Sequence, residues 1–272
     1  MRDIELAVWA SAALLGGPVL MWRGFRVMRT RRLMQNTPTA RIRSMPMGLV
    51  EIDGEVVPRS ELAGPFSGRA CAYWQVDVST RSRRNAWTVV HRNASGNPFF
   101  LRDETGLALV YPKGADVKLG CQVEEECFGA SLPDVYARYL DEQHLAASRL
   151  WRLGMLRFRE RLLEPGQHAY VLGTATPRPQ SVAISMDAED ELEATGTDAW
   201  RARRLQTLDH EAHAVVRRGE NEPTYVISQK SERDLEFDMG IKAFGELAGG
   251  PVLTLFGLGY WLYQLGAGHW PR

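Results

Sequence analysis

Two long apolar runs, one close to each end of the sequence, constrain this chain more than any other feature. The first begins at Ile4 and ends at Trp22, interrupted only by Glu5; the second begins at Leu247 and ends at Leu265 without a charged residue. As helices of ~19 residues, either would reach roughly 30 Å, the thickness of a hydrocarbon core. A cleaved signal peptide fits the first run poorly, because its arginines follow the apolar stretch and no small-x-small cleavage site comes after it. A buried core helix fits the second poorly on length. Tyr260, Trp261 and Tyr263 also lie toward the far end of that run, where amphipathic rings favour the membrane interface. Both runs read as transmembrane helices, and the lipid bilayer is an expected partner.

Flanking charge sets an expected orientation. Arg23, Arg26, Arg29, Arg31, Arg32, Arg41 and Arg43 follow the first run, whereas only Arg2 precedes it; Lys230, Arg233 and Lys242 precede the second. Cationic flanks stay on the cytoplasmic side, so in a bacterial inner membrane the middle of the chain is expected in the cytoplasm and both ends outside. The arginines also offer contacts for anionic head groups. Glycines punctuate both runs (Gly16, Gly17, Gly245, Gly249, Gly250, Gly257, Gly259), and Gly245 with Gly249 has the spacing that lets helices approach closely. Packing of the two spans on each other and self-association are equally open on this pattern. Pro18 and Pro251 are tolerable kink points inside a membrane.

Between the runs the texture is mostly β. Pro38 ends the helix leaving the first run. Residues 48–52 and 55–57 flank Asp53-Gly54, a strong hairpin signal. Residues 71–78 alternate, with Ala72, Trp74, Val76 and Val78 on one face and Cys71, Tyr73, Gln75 and Asp77 on the other, which predicts a half-buried strand. Residues 86–91 return as its partner. Residues 99–101 and 107–111 pair around Asp103 and Gly106, with Asp103 starting the turn and Gly106 expected at positive φ. Residues 117–128 predict one or two strands. A helix is expected over 134–149 with Val135, Tyr139, Leu140 and Leu145 on one face, then strands over 155–163, 169–175 and 224–228. Residues 187–219 read as a helical insertion, acidic at first (Asp187, Glu189, Asp190, Glu191, Glu193) and basic afterwards. Ser231 is placed to cap the helix that leads into the second run. The expected domains are a first transmembrane helix over 1–26, a soluble β-rich domain over 27–242, and a second transmembrane helix with a short tail over 243–272. The fold class is a membrane-anchored α+β protein whose two spans bracket a barrel- or sandwich-like domain with a few helices.

Little in this domain suggests catalysis. With 33 basic and 33 acidic side chains, no charge excess points to nucleic acid, which is not an expected partner. The three cysteines, Cys71, Cys121 and Cys127, have no C-x-x-C spacing and read as thiols in a reducing compartment. His210-Glu211-Ala212-His213 would put two imidazoles on one helix face, but without a third ligand. Asp103-Glu104 with Asp77 lacks a partner constellation for acid–base work, Cys71 has no adjacent cation or imidazole, and Ser67 lies outside a nucleophile-elbow pattern. No glycine-rich phosphate loop is present. The expectation is therefore no catalytic residue, no metal and no cofactor.

Several short pieces, in order, resemble the GIDE ("beside a membrane") domain, found in a mitochondrial membrane ubiquitin ligase and in bacterial and archaeal membrane proteins. They are Thr37-Pro38-Thr39 with Ile42-Arg43-Ser44; Gly48-Leu49-Val50-Glu51 with Gly54; Pro65-Phe66-Ser67-Gly68; Phe100-Leu101-Arg102-Asp103 with Gly106; Arg159-Glu160-Arg161-Leu162-Leu163 with Pro165-Gly166; Tyr170-Val171-Leu172-Gly173; and Ile227-Ser228 with Ser231-Glu232. The two-span layout is similar to that family, and a prokaryotic-type member is implied. The ligase carries a RING domain after its second span, which needs eight Cys/His ligands for two zinc ions. Here the last cysteine is Cys127, so the resemblance implies the membrane-flanked module without ligase activity. It implies a sensor or scaffold that binds a protein or ligand at the membrane surface, with a separate protein partner or self-association through the helices. The alternatives are a component of a ubiquitin-ligase-like or other membrane enzyme system with its catalytic part on another chain, and a pore or membrane-remodelling element suggested by Glu5 and Glu246 near glycine-rich helices.

Overall fold

The computed structural model describes residues 2–82, 85–144, 154–177, 207–208, 211–220, 222–229 and 232–267. They form two units, one made of the two ends of the chain and the other of residues 39–231.

The end unit is a pair of long helices, α1 (Arg2–Asn36) and α3 (Glu232–Ala267). Both run through an internal proline, Pro18 and Pro251. Their seam is built from small residues seven apart. Ala10 and Ala243 are buried in it. A Cβ on Gly250 would lie 2.8 Å from the Gly17 carbonyl oxygen, and one on Gly257 would lie 2.5 Å from that of Ala10. Backbones so close leave no room for larger side chains, the close approach that small-residue seams allow. The seam therefore uses Gly17, Gly250 and Gly257. The expected pair Gly245 and Gly249 points instead into open space. Among the described residues one helix, over Glu5–Asn36, is long and apolar enough to cross a membrane. The second span expected from Leu247 to Leu265 does not reach that apolarity, because glycines, Pro251, two tyrosines and Gln264 dilute its leucines. Both helices nevertheless turn large apolar side chains outward, among them Trp9, Val19, Val252, Phe256 and Leu262.

The second unit is β-rich. Its strands in chain order are β1 (Gly48–Pro58), β2 (Leu62–Ala63), β3 (Ala70–Cys71), β4 (Tyr73–Arg81), β5 (Trp87–Ala94), β6 (Phe99–Arg102), β7 (Leu107–Val110), β8 (Asp116–Lys118), β9 (Val123–Phe128), β10 (Met155–Leu163), β11 (His168–Pro177), β12 (Ala212–Arg217) and β13 (Val226–Ser228). Helix α2 (Asp134–Glu142) lies among them. Strands β1, β6, β7, β12 and β11 follow one another around a ring that the β1–β11 pairing closes, making a five-stranded barrel extended along β11 by β13 and β8. Val50, Ile52, Phe99, Leu101, Val110, Val171, Val216 and Ile227 fill its core. A smaller apolar cluster, including Val57, Phe100, Leu107, Leu109 and Val215, collects the alternate residues of the same strands. That is why β7 is buried at every position.

A separate antiparallel sheet, in the order β5-β4-β10-β9, carries α2 on one face. Val76, Val78, Leu156 and Phe158 meet Tyr136, Tyr139 and Leu140 there.

The structure differs from the sequence reading at several elements. Asp53-Gly54 makes no turn: β1 is continuous, pairing with β11 through Glu55 and with β6 from Glu55 onward. Gly54 is needed because a Cβ there would collide with the Arg102 carbonyl group. Strand β4 is buried on both faces, since long side chains of neighbouring strands cover its polar side. In α2 the inward residue is Tyr136, whereas Val135 is exposed; Leu145 lies outside the described residues. The stretch from Ala212, read as helical, is strand β12, parallel to β7. Residues 117–128 are two strands, β8 ending and β9 beginning on either side of Cys121. The rest of the expected insertion is outside the described residues, apart from 207–208, as are His210 and Ser231.

Candidate interaction face

The polar residues of the short motifs turn out to be ties between distant loops. Glu160 points from β10 to the sheet face that carries α2, where it is fully buried. It accepts the backbone N–H groups of Phe66 at 2.8 Å and Ser67 at 3.2 Å. The loop Pro65-Phe66-Ser67-Gly68 is thereby held down, with Gly68 at φ +67°. The Phe66 ring sits edge-on to Tyr136, Tyr139 and Phe158, with centroids 5.0, 5.1 and 5.7 Å away. Ser67 behaves as a turn residue, its hydroxyl accepting the Arg69 N–H.

Two further carboxylates do similar work at the barrel. Glu51, buried in β1, accepts hydroxyl protons from Thr39 at 2.7 Å and Tyr170 at 2.8 Å. Asp103 accepts N–H groups from Ile42 at 2.7 Å, Thr105 at 2.6 Å and Gly106 at 2.8 Å, and the Thr105 hydroxyl proton. Burial alone would raise the Asp103 carboxyl, but these donors outweigh it and hold it below the usual carboxylate range.

The motif glycines divide by cause. Gly48 and Gly166 have positive φ, at +111° and +79°. Gly106, expected at positive φ, does not; a Cβ there would meet the His213 ring at 2.9 Å. Gly173 makes room for Tyr225 and Val216, which a Cβ would approach to 2.8 and 2.9 Å.

The other face of the four-stranded sheet is charged. Alternation along β10 puts Arg157, Arg159 and Arg161 on it. The register then adds Asp77 and Ser79 from β4, Arg92, Val89 and Trp87 from β5, and Glu124 and Glu126 from β9. Asp77, with its side chain only 3% exposed, is clamped from both sides. Arg92 Nε donates to its Oδ1 at 2.6 Å and Arg161 Nη1 to its Oδ2 at 2.5 Å. Burial would raise its carboxyl; the two guanidinium groups outweigh that and lower it. Glu124 Oε1 accepts from Arg159 Nη2 at 2.7 Å and lies 3.4 Å from Arg157 Nη1. The Arg157 guanidinium stacks on Trp87, 4.5 Å from the ring centroid, and Arg81 lies 5.8 Å from the same ring. Sequence reasoning had Arg159 and Arg161 only as pieces of a motif. The alternation of Arg157, Arg159 and Arg161 in a strand was the available signal; that Asp77 and Arg92 join them depends on register.

The residues weighed for catalysis are not brought together. Asp103 sits in the β6–β7 turn and Asp77 on the charged sheet face, each with its own donors. Cys71 is buried, and burial beside Glu160 and Glu164 pushes its thiol up to about 11, away from the thiolate. His213 lies in strand β12, so the helical spacing that would pair it with His210 does not apply. Among the described residues no group of three or more His, Cys, Asp or Glu side chains could hold a metal ion.

Compared with known protein families, residues 73–192 match the GIDE family, whose description is E3 ubiquitin ligase. The match takes in all four strands of the charged sheet and leaves β1, β12 and β13 outside it. No curated protein and no solved structure matches the chain.

Proposed function

The chain carries a GIDE-family domain, and from that premise we propose a two-span membrane protein that presents this domain at the membrane surface to bind a protein, as a sensor or scaffold without catalysis of its own. The observation that carries this reading is the inverted polarity of the helix pair. Glycine and alanine face the seam, while Trp9, Val19, Val252, Phe256 and Leu262 face outward. A water-soluble helix pair buries its large apolar residues, whereas a pair solvated by lipid does the reverse. α3 is less apolar than α1, but its outward side has the same character, and its close seam with α1 lets the two cross together. In a bacterial inner membrane, the flanking arginines would favour the β-rich unit on the cytoplasmic side. Within that unit Glu51, Asp103 and Glu160 are committed to holding loops, which suits a binding module.

Epitope tags at both ends of the full chain test the topology. In intact spheroplasts, external protease should remove both tags and leave residues 39–231 uncut. Removal of one tag alone, or release of the protein by alkaline carbonate, would overturn the two-span reading. Crosslinking in intact cells should yield a discrete adduct with a second protein, and a chain that remains uncrosslinked would overturn the scaffold role. The family's description as E3 ubiquitin ligase favours one second reading, in which the partner is the catalytic chain of a ligase-like system; such an adduct would then contain it.

A further inference from the structure

We propose that the charged face of the four-stranded sheet is a docking surface for an acidic polypeptide segment lying extended along β10. This rests on the reading that the domain works by binding a protein, and it names the surface and the chemistry of the partner. The chain as a whole is neutral, yet this face gathers Arg81, Arg92, Arg157, Arg159 and Arg161 against Asp77, Glu124 and Glu126. The excess is cationic and local. Alternate residues of a strand are about 6.8 Å apart, so Arg157, Arg159 and Arg161 repeat at the spacing of alternate side chains in an extended peptide. Acidic residues at every second position would meet them in step.

The guanidinium groups are also preorganised. Asp77 fixes Arg161 and Arg92 from beneath, Glu124 fixes Arg159, and Trp87 supports Arg157. Each guanidinium has five N–H donors, and its carboxylate engages only part of that fork. The side chains of Arg157, Arg159 and Arg161 are 13%, 30% and 20% exposed. They are recessed, and the described residues placed on this face include no lysine. A lipid surface is met by protruding, mobile cations; a recessed, braced row of forks suits carboxylates that reach down from a peptide backbone. Val89 and Phe128, both about half exposed on the same face, offer apolar contact at its margins.

The test uses the full chain in neutral detergent and a fluorescein-labelled peptide, Glu-Thr-Glu-Thr-Glu-Thr-Glu, followed by anisotropy at low salt. Binding should be saturable, should weaken with added salt, and should exceed that of a peptide with the same residues in the order Glu-Glu-Glu-Glu-Thr-Thr-Thr. Arg159→Glu, which removes neither of the two donors to Asp77, should weaken it on the order of tenfold. Glu124→Gln, whose amide oxygen can still accept from Arg159 while the competing negative charge is gone, should strengthen it about threefold, a gain that misfolding does not produce. Equal binding of the two peptides, indifference to Arg159→Glu, or preference for dihexanoyl phosphatidylserine over the peptide would overturn the proposal. A partner crosslinked in cells whose capture survives Arg159→Glu would overturn this face and leave the scaffold role standing. Peptide binding with no partner captured would do the opposite.

Discussion

Glu160 shows how a single side chain divides its strand into two functions. Its neighbours Arg159 and Arg161 lie on the opposite, charged face of the sheet, while Glu160 turns inward to hold two backbone N–H groups of the Phe66 loop. Glu160→Ala leaves both donors buried without a partner, a loss of about 2–3 kcal/mol. The thermal midpoint of the protein in detergent should fall by roughly 5–10 °C, whereas Arg159→Ala should leave it nearly unchanged. Asp103 gives a pH signature. Its carboxyl is held low in the folded state, so its contribution is complete above the ordinary aspartate value near ~3.9 and is lost as pH falls through the folded value. Wild-type midpoints measured from pH 7 down to pH 2 should drop on the acid side. Asp103→Asn should be less stable at neutral pH and show a shallower acid decline. Thiol labelling separates the cysteines: iodoacetamide should modify exposed Cys121 quickly and buried Cys71 only after unfolding.

The elements differ in how much they owe to neighbours. β10 alternates from Met155 to Leu162, and both of its partners are antiparallel strands of the same sheet, so its two faces keep their separate roles. α2 is short and is held by its aromatic side: Tyr136 stacks on Phe158 at 4.3 Å and donates its hydroxyl proton to Glu125 at 2.6 Å. The helix pair depends on the absence of side chains. Gly250→Leu inserts a branched side chain where a single Cβ already lies 2.8 Å from a carbonyl oxygen. It should therefore force α1 and α3 apart and lower the thermal midpoint of the full chain in detergent by several degrees. Gly249→Leu, a change on the open side of the same helix, should leave the midpoint nearly unchanged.

At the scale of the whole molecule, the barrel closes only through contacts far apart in sequence. β12 inserts between β7 and β11, and β1 meets β11 across more than a hundred residues. A chain ending at residue 205 lacks β12 and β13, exposes the barrel core and should be recovered only in aggregates, whereas residues 39–231 should fold alone and show a single cooperative melt. Local periodicity was enough for the sequence to determine β4, β10, β11, the β6–β7 hairpin and the apolar helix near the start of the sequence, because alternation and apolar runs arise from contacts that each element makes along its own length. The motifs pointed to the family but not to its bounds: the match covers residues 73–192, and the pieces before Tyr73 and after residue 192 lie outside it. Tertiary structure alone decided that Asp53-Gly54 lies inside a strand, that residues from Ala212 extend instead of coiling, and that Gly250 rather than Gly249 lines the helix seam. It also decided that Asp77, Arg92 and Arg161 converge on one sheet face. Each of these outcomes depends on which strand or helix arrives as neighbour, and in what register. That is a property of closure and packing, which no window of sequence contains.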